Sequence, residues 1–185
     1  MVQPIYVYGS EVLRRVAAEA DLGKKEELTS LIRDLKDTLA VADGCGLAAP
    51  QIGVSLRVLY VDGTVMEDVY GYLKGWRRVM INPTVLEEEE ELCEFNEGCL
   101  SVPGIYADVR RPKAMKVHYW NETFEEVTEV LDRFACRMVQ HEMAHLDGEL
   151  FVDRVAPIRK KLIAKKLINI AQGKTPARYK TKIQK

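Results

Sequence analysis

The sequence predicts an α+β domain with a mostly antiparallel sheet. Two observations carry this. Segments of β type follow one another through the middle of the chain with no helix between them, and helical periodicity is confined to one stretch before and two after. A βαβ fold would alternate the two instead. The length of 185 residues is one domain's worth, enough to bury a core without covalent staples.

The first helix is expected over residues 23–42. Leu28, Leu31, Ile32, Leu35 and Leu39 recur at helical spacing with charges between them, and the run stops at Asp43-Gly44-Cys45-Gly46. Residues 56–61 read as a strand, residues 78–82 as a second strand ended by Pro83, and residues 84–94 as a third. The five glutamates from Glu87 to Glu91 fit a solvated edge or turn. Residues 113–121 alternate, with Ala114, Lys116, His118 and Trp120 on one face and Met115, Val117 and Tyr119 on the other. Asn121-Glu122 then suits a hairpin turn into a returning strand over residues 123–131. A second helix follows to about Leu146, with Asp132 as its N-cap and Gly148 just past its end. Pro157 opens a third, basic helix with Ile158, Leu162, Leu167 and Ile170 inward, ending near Gly173.

Composition excludes several classes. With 47% hydrophobic and 30% charged residues the chain is neither disordered nor fibrous, and no apolar run reaches the ~18–20 residues that span a bilayer. No secretory signal is visible, and four irregularly spaced cysteines are not a disulfide framework, so a reduced cytoplasmic protein is expected. Charge is uneven. Eleven of the 27 basic residues follow Asp153, beyond which no acidic residue occurs; the preceding 153 residues carry 16 basic against 28 acidic groups. That segment reads as a solvated face and tail, or as one that leans on a polyanion such as RNA. With only Tyr179 as an aromatic, it is not built for sequence-specific nucleic-acid readout.

The strongest local signal is His141-Glu142-Met143-Ala144-His145, an H-E-x-x-H pattern on the second helix. Residues i and i+4 share a face, so both imidazoles can reach one metal ion, and Glu142 can meet a metal-bound water from the side. Histidines on a face that should be buried cost free energy unless satisfied, and a metal would satisfy them. His118, mid-strand, reads as an ordinary half-buried residue. A third ligand must come from elsewhere; Cys99, Cys93, Cys45 and several carboxylates are candidates. Glu97-Gly98-Cys99-Leu100-Ser101 is the best place to look, since a cysteine there can offer its thiolate beside a backbone N–H. Cys45, Cys93 and Cys136 read as small buried hydrophobes. Gly44-Cys45-Gly46-Leu47-Ala48-Ala49-Pro50-Gln51 permits close backbone approach and ends in a neutral amide donor.

Taken together, G-C-G-L-A-A-P-Q, E-G-C-L-S and Q-H-E-M-A-H-L-D-G, in this order and at these separations, resemble the peptide deformylase family over nearly the whole chain. The resemblance implies antiparallel sheets packed around a central H-E-x-x-H helix, with a single catalytic domain over residues 1–173 and a basic tail over 174–185. It implies removal of the N-formyl group from the N-terminal methionine of new polypeptides, with release of formate. Cys99, His141 and His145 would bind one divalent metal ion, ferrous iron in the first place, with zinc or nickel as alternatives. Metal-bound water would attack the formyl carbon with Glu142 as general base and acid. Gln51 and the Leu100 backbone N–H would stabilise the oxyanion. Gly46 would line the substrate path, and Phe95, Phe134 and Met138 would form an apolar slot for the methionine side chain.

Two departures from the family pattern stand out. Ala144 occupies the usual aspartate position, which would be expected to tie down an arginine, here Arg111; Tyr106 stands where many members carry arginine. Ala144 motivates an alternative, a catalytically silent member that binds nascent chains. A metallopeptidase of other specificity and a Cys99–His thiol hydrolase are further alternatives. The basic C-terminal segment suggests contact with the ribosome.

Overall fold

The computed structural model describes residues 1–184. In chain order it comprises β1 (Ile5–Tyr6), α1 (Lys25–Ala42), β2 (Gly46–Ala48), β3 (Val58–Asp62), β4 (Arg77–Glu88), β5 (Leu92–Cys99), β6 (Val102–Pro112), β7 (Ala114–Trp120), β8 (Glu126–Asp132), α2 (Arg133–Leu146), α3 (Pro157–Ala171) and β9 (Thr181–Lys182). Short 3-10 turns connect several of them. The architecture is α+β. A five-stranded antiparallel sheet runs β2-β3-β4-β7-β8, β5 and β6 form a second antiparallel pair, and β9 lies parallel to β1. Among the described residues, no helix is long and apolar enough to cross a membrane.

The five-stranded sheet is covered on both faces. Leu28, Ile32, Leu35 and Leu39 repeat at helical spacing along α1 and pack on Val58, Tyr60, Val79 and Ile81. The alternate residues of the same strands, Leu59, Val61 and Met80, point the other way onto Met138, Val139, Met143 and Leu146 of α2. Burial on both faces makes β3 a continuous apolar run rather than an alternating one. A third cluster joins Val102, Ile105, Ala107 and Val109 of β6 to Phe151, Val152 and Ile163. Eleven of the fourteen α2 residues are buried, so this helix is the centre of the molecule.

Several sequence expectations are corrected. Pro83 does not end a strand: residues 77–88 form one strand that changes partner there, from β3 to β7, through register shifts. Asn82 adopts φ 51°, and its side chain bonds both the N–H and the C=O of Ala20, so the missing proline N–H falls where no regular ladder bond is needed. The expected third strand divides between the end of β4, a turn and β5. Asp132 precedes α2 but makes no side-chain cap; its carboxylate takes the Arg133 guanidinium, and the Tyr72 hydroxyl accepts the Phe134 N–H at 2.9 Å. On α3 the inward residues are Ile163, Leu167 and Ile170, while Ile158 and Leu162 are 75% and 69% exposed. At 100° per residue those two lie well round the helix from the stripe that meets β6.

Residues 174–184 do not leave the domain. They run back over it to the β1–β9 pair, where Ile5 N–H donates to the Lys180 carbonyl at 2.8 Å and Val7 N–H to that of Lys182 at 3.1 Å. Lys185, the last of the C-terminal charges, lies outside the described residues.

Candidate active site

α2 carries His141 and His145 one turn apart, with ring centroids separated by 5.3 Å. The β5–β6 corner brings the third group. A register shift between Gly98 and Cys99 breaks the ladder at the end of β5 and turns the cysteine toward the helix. Cys99 Sγ lies 3.3 Å from His145 Nε2, and the ligand atoms of Cys99, His141 and His145 all fall within 4.8 Å of one another. Of the third-ligand candidates weighed from sequence, this places Cys99 with the histidines. Cys45 lies on the cavity wall, where burial pushes its thiol up to about 11; Cys136 is buried in the core, its thiol pushed up to about 12. Cys93 receives Arg137 Nη2 on its sulfur and its carbonyl, and His118 stacks edge-on against Trp120, away from the site.

A buried polar clamp orients His141. Its Nδ1 meets Glu97 Oε2 at 2.9 Å, which leaves Nε2 for a metal. Arg111 donates to both Glu97 oxygens, at 2.7 and 2.9 Å, and Arg137 Nη1 adds a bond of 2.9 Å. Burial disfavours the Glu97 charge, but Arg111 and His141 overcome it and hold this carboxyl well below the usual carboxylate range. Arg111 is thus tied down by Glu97, and its anchorage does not depend on residue 144. Burial also works against a charged His141, yet Cys99 and Glu97 on either side push it up to about 10. His145 differs. Burial and the neighbouring His141 hold it well below the ordinary histidine range, and its Nδ1 has no hydrogen-bond partner among the described residues.

Glu142 is 4% exposed, and burial pushes its carboxyl up to about 7. Its Oε2 is likewise unpartnered. A Cβ on Gly46 would stand 2.5 Å from Glu142 Oε1, so a side chain there would collide with the carboxylate; β2 must pass Glu142 as bare backbone. Gln51 is fully enclosed, and its Oε1 accepts the Ala48 N–H at 2.8 Å. That bond aims Nε2 toward Ser101 Oγ, at 3.1 Å, and Cys99 Sγ, at 3.7 Å.

A cavity of about 870 Å³ opens over these groups. Gly46, Gln51, Cys99, Leu100, His141 and Glu142 line its inner end. Phe95, Phe134 and Met138 line a flank, the two phenyl rings 5.3 Å apart. The outer wall includes Tyr106 and residues 176–179. A thiolate with two imidazoles is a donor set suited to zinc or ferrous iron, and the buried Glu142 Oε2 beside it, unpartnered among the described residues, fits a site that completes its contacts with a ligand.

Sequence reading assigned no role to Glu97, Arg137, Ser101 or Tyr179. For Arg137 a signal existed, since it lies one helical turn before His141 on the same face of α2.

Comparison with known proteins agrees along the chain. The family description "Polypeptide deformylase" matches residues 2–161. A peptide deformylase of Fusobacterium nucleatum is 46% identical over 171 residues, which is 92% of this chain and 93% of that one. Among solved structures, Arabidopsis thaliana peptide deformylase 1B in complex with an inhibitor superposes with a TM-score of 0.83 at 32% identity, covering 92% of this chain and 91% of that one. A peptide deformylase from Legionella pneumophila gives 0.82 at 33% identity, covering 95% and 100%.

Proposed function

Since the chain belongs to the polypeptide deformylase family and is an enzyme of that type, we propose that it hydrolyses the N-formyl group from the N-terminal methionine of newly made polypeptides and releases formate. The observation that carries this is the convergence of Cys99, His141 and His145 beside a buried, unpartnered Glu142 oxygen at the inner end of one cavity.

Cys99, His141 and His145 would hold one divalent ion, ferrous iron in our reading. When bound, it would supply Lewis acidity, lowering the pKa of water and drawing charge from the formyl oxygen. Glu142 performs the proton transfers. Burial keeps its basicity near neutrality, so it accepts the proton of the attacking water and then delivers it to the leaving amine. Gln51 Nε2, aimed by the Ala48 bond, donates to the oxygen that becomes negative, and the Leu100 N–H is the second donor. Replacing Gln51 by Leu should cost about 10²–10³ in kcat.

Phe95, Phe134 and Met138 take the methionine side chain on the cavity flank, and Gly46 leaves room for the substrate backbone. Tyr106 supplies no charge to the outer wall; Arg178 brings one there from the C-terminal segment. On this reading the enzyme works in the cytoplasm, and the basic surface of α3 would keep it near ribosomal RNA.

The test is formate release from formyl-Met-Ala by iron-loaded protein, with unblocked Met-Ala-Ser as the competing substrate. Formate released, stopped by chelator and restored by ferrous ion, supports the proposal. Cleavage of the unblocked peptide alone would point to a metallopeptidase. Activity that survives chelator but not thiol alkylation would point to a cysteine hydrolase.

A further inference from the structure

Tyr179 reaches the site from the C-terminal segment, and the chemistry proposed above gives this tyrosine no part. Beyond α3 the backbone turns, and residues 176–179 form part of the cavity wall before β9 zips onto β1. The zipper continues past β9, where Gln184 N–H donates to Ser10 Oγ at 3.2 Å. The Tyr179 ring is half-buried with Leu100 among apolar residues on the α1 side of the sheet. Its hydroxyl donates to the Leu100 carbonyl at 2.6 Å.

That carbonyl belongs to the same peptide unit as the Ser101 N–H. The N–H in turn donates to Cys99 Sγ at 3.4 Å, and Ser101 is fully buried. A peptide unit is planar and rigid, so a group gripping its oxygen sets where its hydrogen points. One plane is therefore held at its carbonyl by Tyr179 and engaged at its N–H by the cysteine sulfur. A hydrogen bond on the carbonyl also polarises the amide and strengthens donation from its other end.

We propose that Tyr179 is a positioning residue for Cys99: its hydroxyl fixes and polarises the Leu100–Ser101 peptide and so keeps the Ser101 N–H on the sulfur. This rests on the reading above that Cys99 ligates the ion. A thiolate that accepts an N–H bond gives less charge to a metal, which leaves the metal the stronger Lewis acid. Burial raises the Tyr179 phenol above its ordinary range, with the Cys99 sulfur nearby acting in the same direction, so the hydroxyl stays a proton donor at neutral pH. The C-terminal segment thereby becomes part of the active site, acting through one backbone unit without touching the ion or the reacting atoms.

The test uses full-length protein loaded with Co(II), comparing wild type with Tyr179→Phe, which removes only the hydroxyl. The readouts are the thiolate-to-cobalt charge-transfer band and, with the ferrous enzyme, kcat and KM on formyl-Met-Ala. We expect the band to move to longer wavelength, because the sulfur loses hydrogen-bond stabilisation. We also expect kcat to fall about fivefold, the effect of weakening one hydrogen bond, with KM changed less than about twofold. Should Tyr179→Phe not fold, 3-fluorotyrosine at position 179 keeps the shape and makes the hydroxyl a stronger donor, and the band should move to shorter wavelength. A wild-type band that neither change moves overturns the role of Tyr179 and leaves Cys99 as ligand. Cobalt bound by wild type with no such band removes the ligand assignment and the proposal together.

Discussion

His141 and His145 share one face of α2, yet the protein supports them in opposite ways. His141 sits in a polar clamp, its Nδ1 on Glu97 and Glu97 on two buried guanidiniums. His145 meets only the Cys99 sulfur, 3.3 Å from its Nε2, and its Nδ1 has no partner among the described residues. Against burial, the Cys99 sulfur and the Glu97 carboxylate push one imidazole up to about 10, while burial holds the other well below its usual range. The difference teaches that motif spacing brings two imidazoles together but does not make them equivalent. The raised His141 favours its protonated form between Cys99 and Glu97, so a metal bound there would have to displace that proton.

The largest effect should come from removing the clamp. Glu97→Ala leaves Arg111 and Arg137 buried without their carboxylate, at a cost of about 3–5 kcal/mol in unfolding free energy. It also frees the His141 ring, so metal affinity should fall about 10–100-fold. Denaturant unfolding and competition with a metal-binding dye measure the two. A variant of wild-type stability and affinity would show that the clamp is idle.

The pH dependence of metal-free stability separates the two histidines. His141 binds its proton more tightly folded than unfolded, so its stabilisation is present below about 6.5 and is lost as pH rises toward 10. His145, depressed in the folded state, stabilises above about 6.5, and this is lost as pH falls below it. Subtracting the Tm-against-pH curve of His141→Asn from that of wild type should expose a loss on the alkaline side; subtracting that of His145→Asn should expose one on the acid side. Two difference curves of the same sign would break the comparison.

The smallest effect belongs to the outer wall, far from the clamp. Arg178→Ala should raise KM for a short formyl peptide by only about two- to fivefold, more at low salt, with kcat unchanged, because an exposed cation is screened.

Much of this was legible in the sequence, and the parts that were not share a cause. α1, α2 and α3 announced themselves by local periodicity, and the H-E-x-x-H pattern put two imidazoles on one face by spacing alone. β6 has the alternation of a strand, but Pro103, Gly104 and the inward Arg111 disguise it; that arginine is affordable inside only because Glu97 waits on the neighbouring strand. The return of the chain to β1 rests on a parallel pair of two residues and left no pattern to read. Glu97 lay within a motif quoted from the sequence, yet its meeting with Arg111, Arg137 and His141 depends on where β5, β6 and α2 cross. Local chemistry can be read from local spacing; contacts closed by the fold cannot.

The central claim is that Glu142 carries the proton between water and the leaving amine. Glu142→Gln keeps the shape of the side chain and removes its basicity. Formate release from formyl-Met-Ala should fall by at least about 10²-fold while the protein still binds about one metal ion per chain. The acid limb of the wild-type rate should lie at or below pH 7, because a bound cation can only lower the Glu142 pKa from its metal-free value of about 7. A Glu142→Gln protein that holds its metal and releases formate at the wild-type rate would contradict the account.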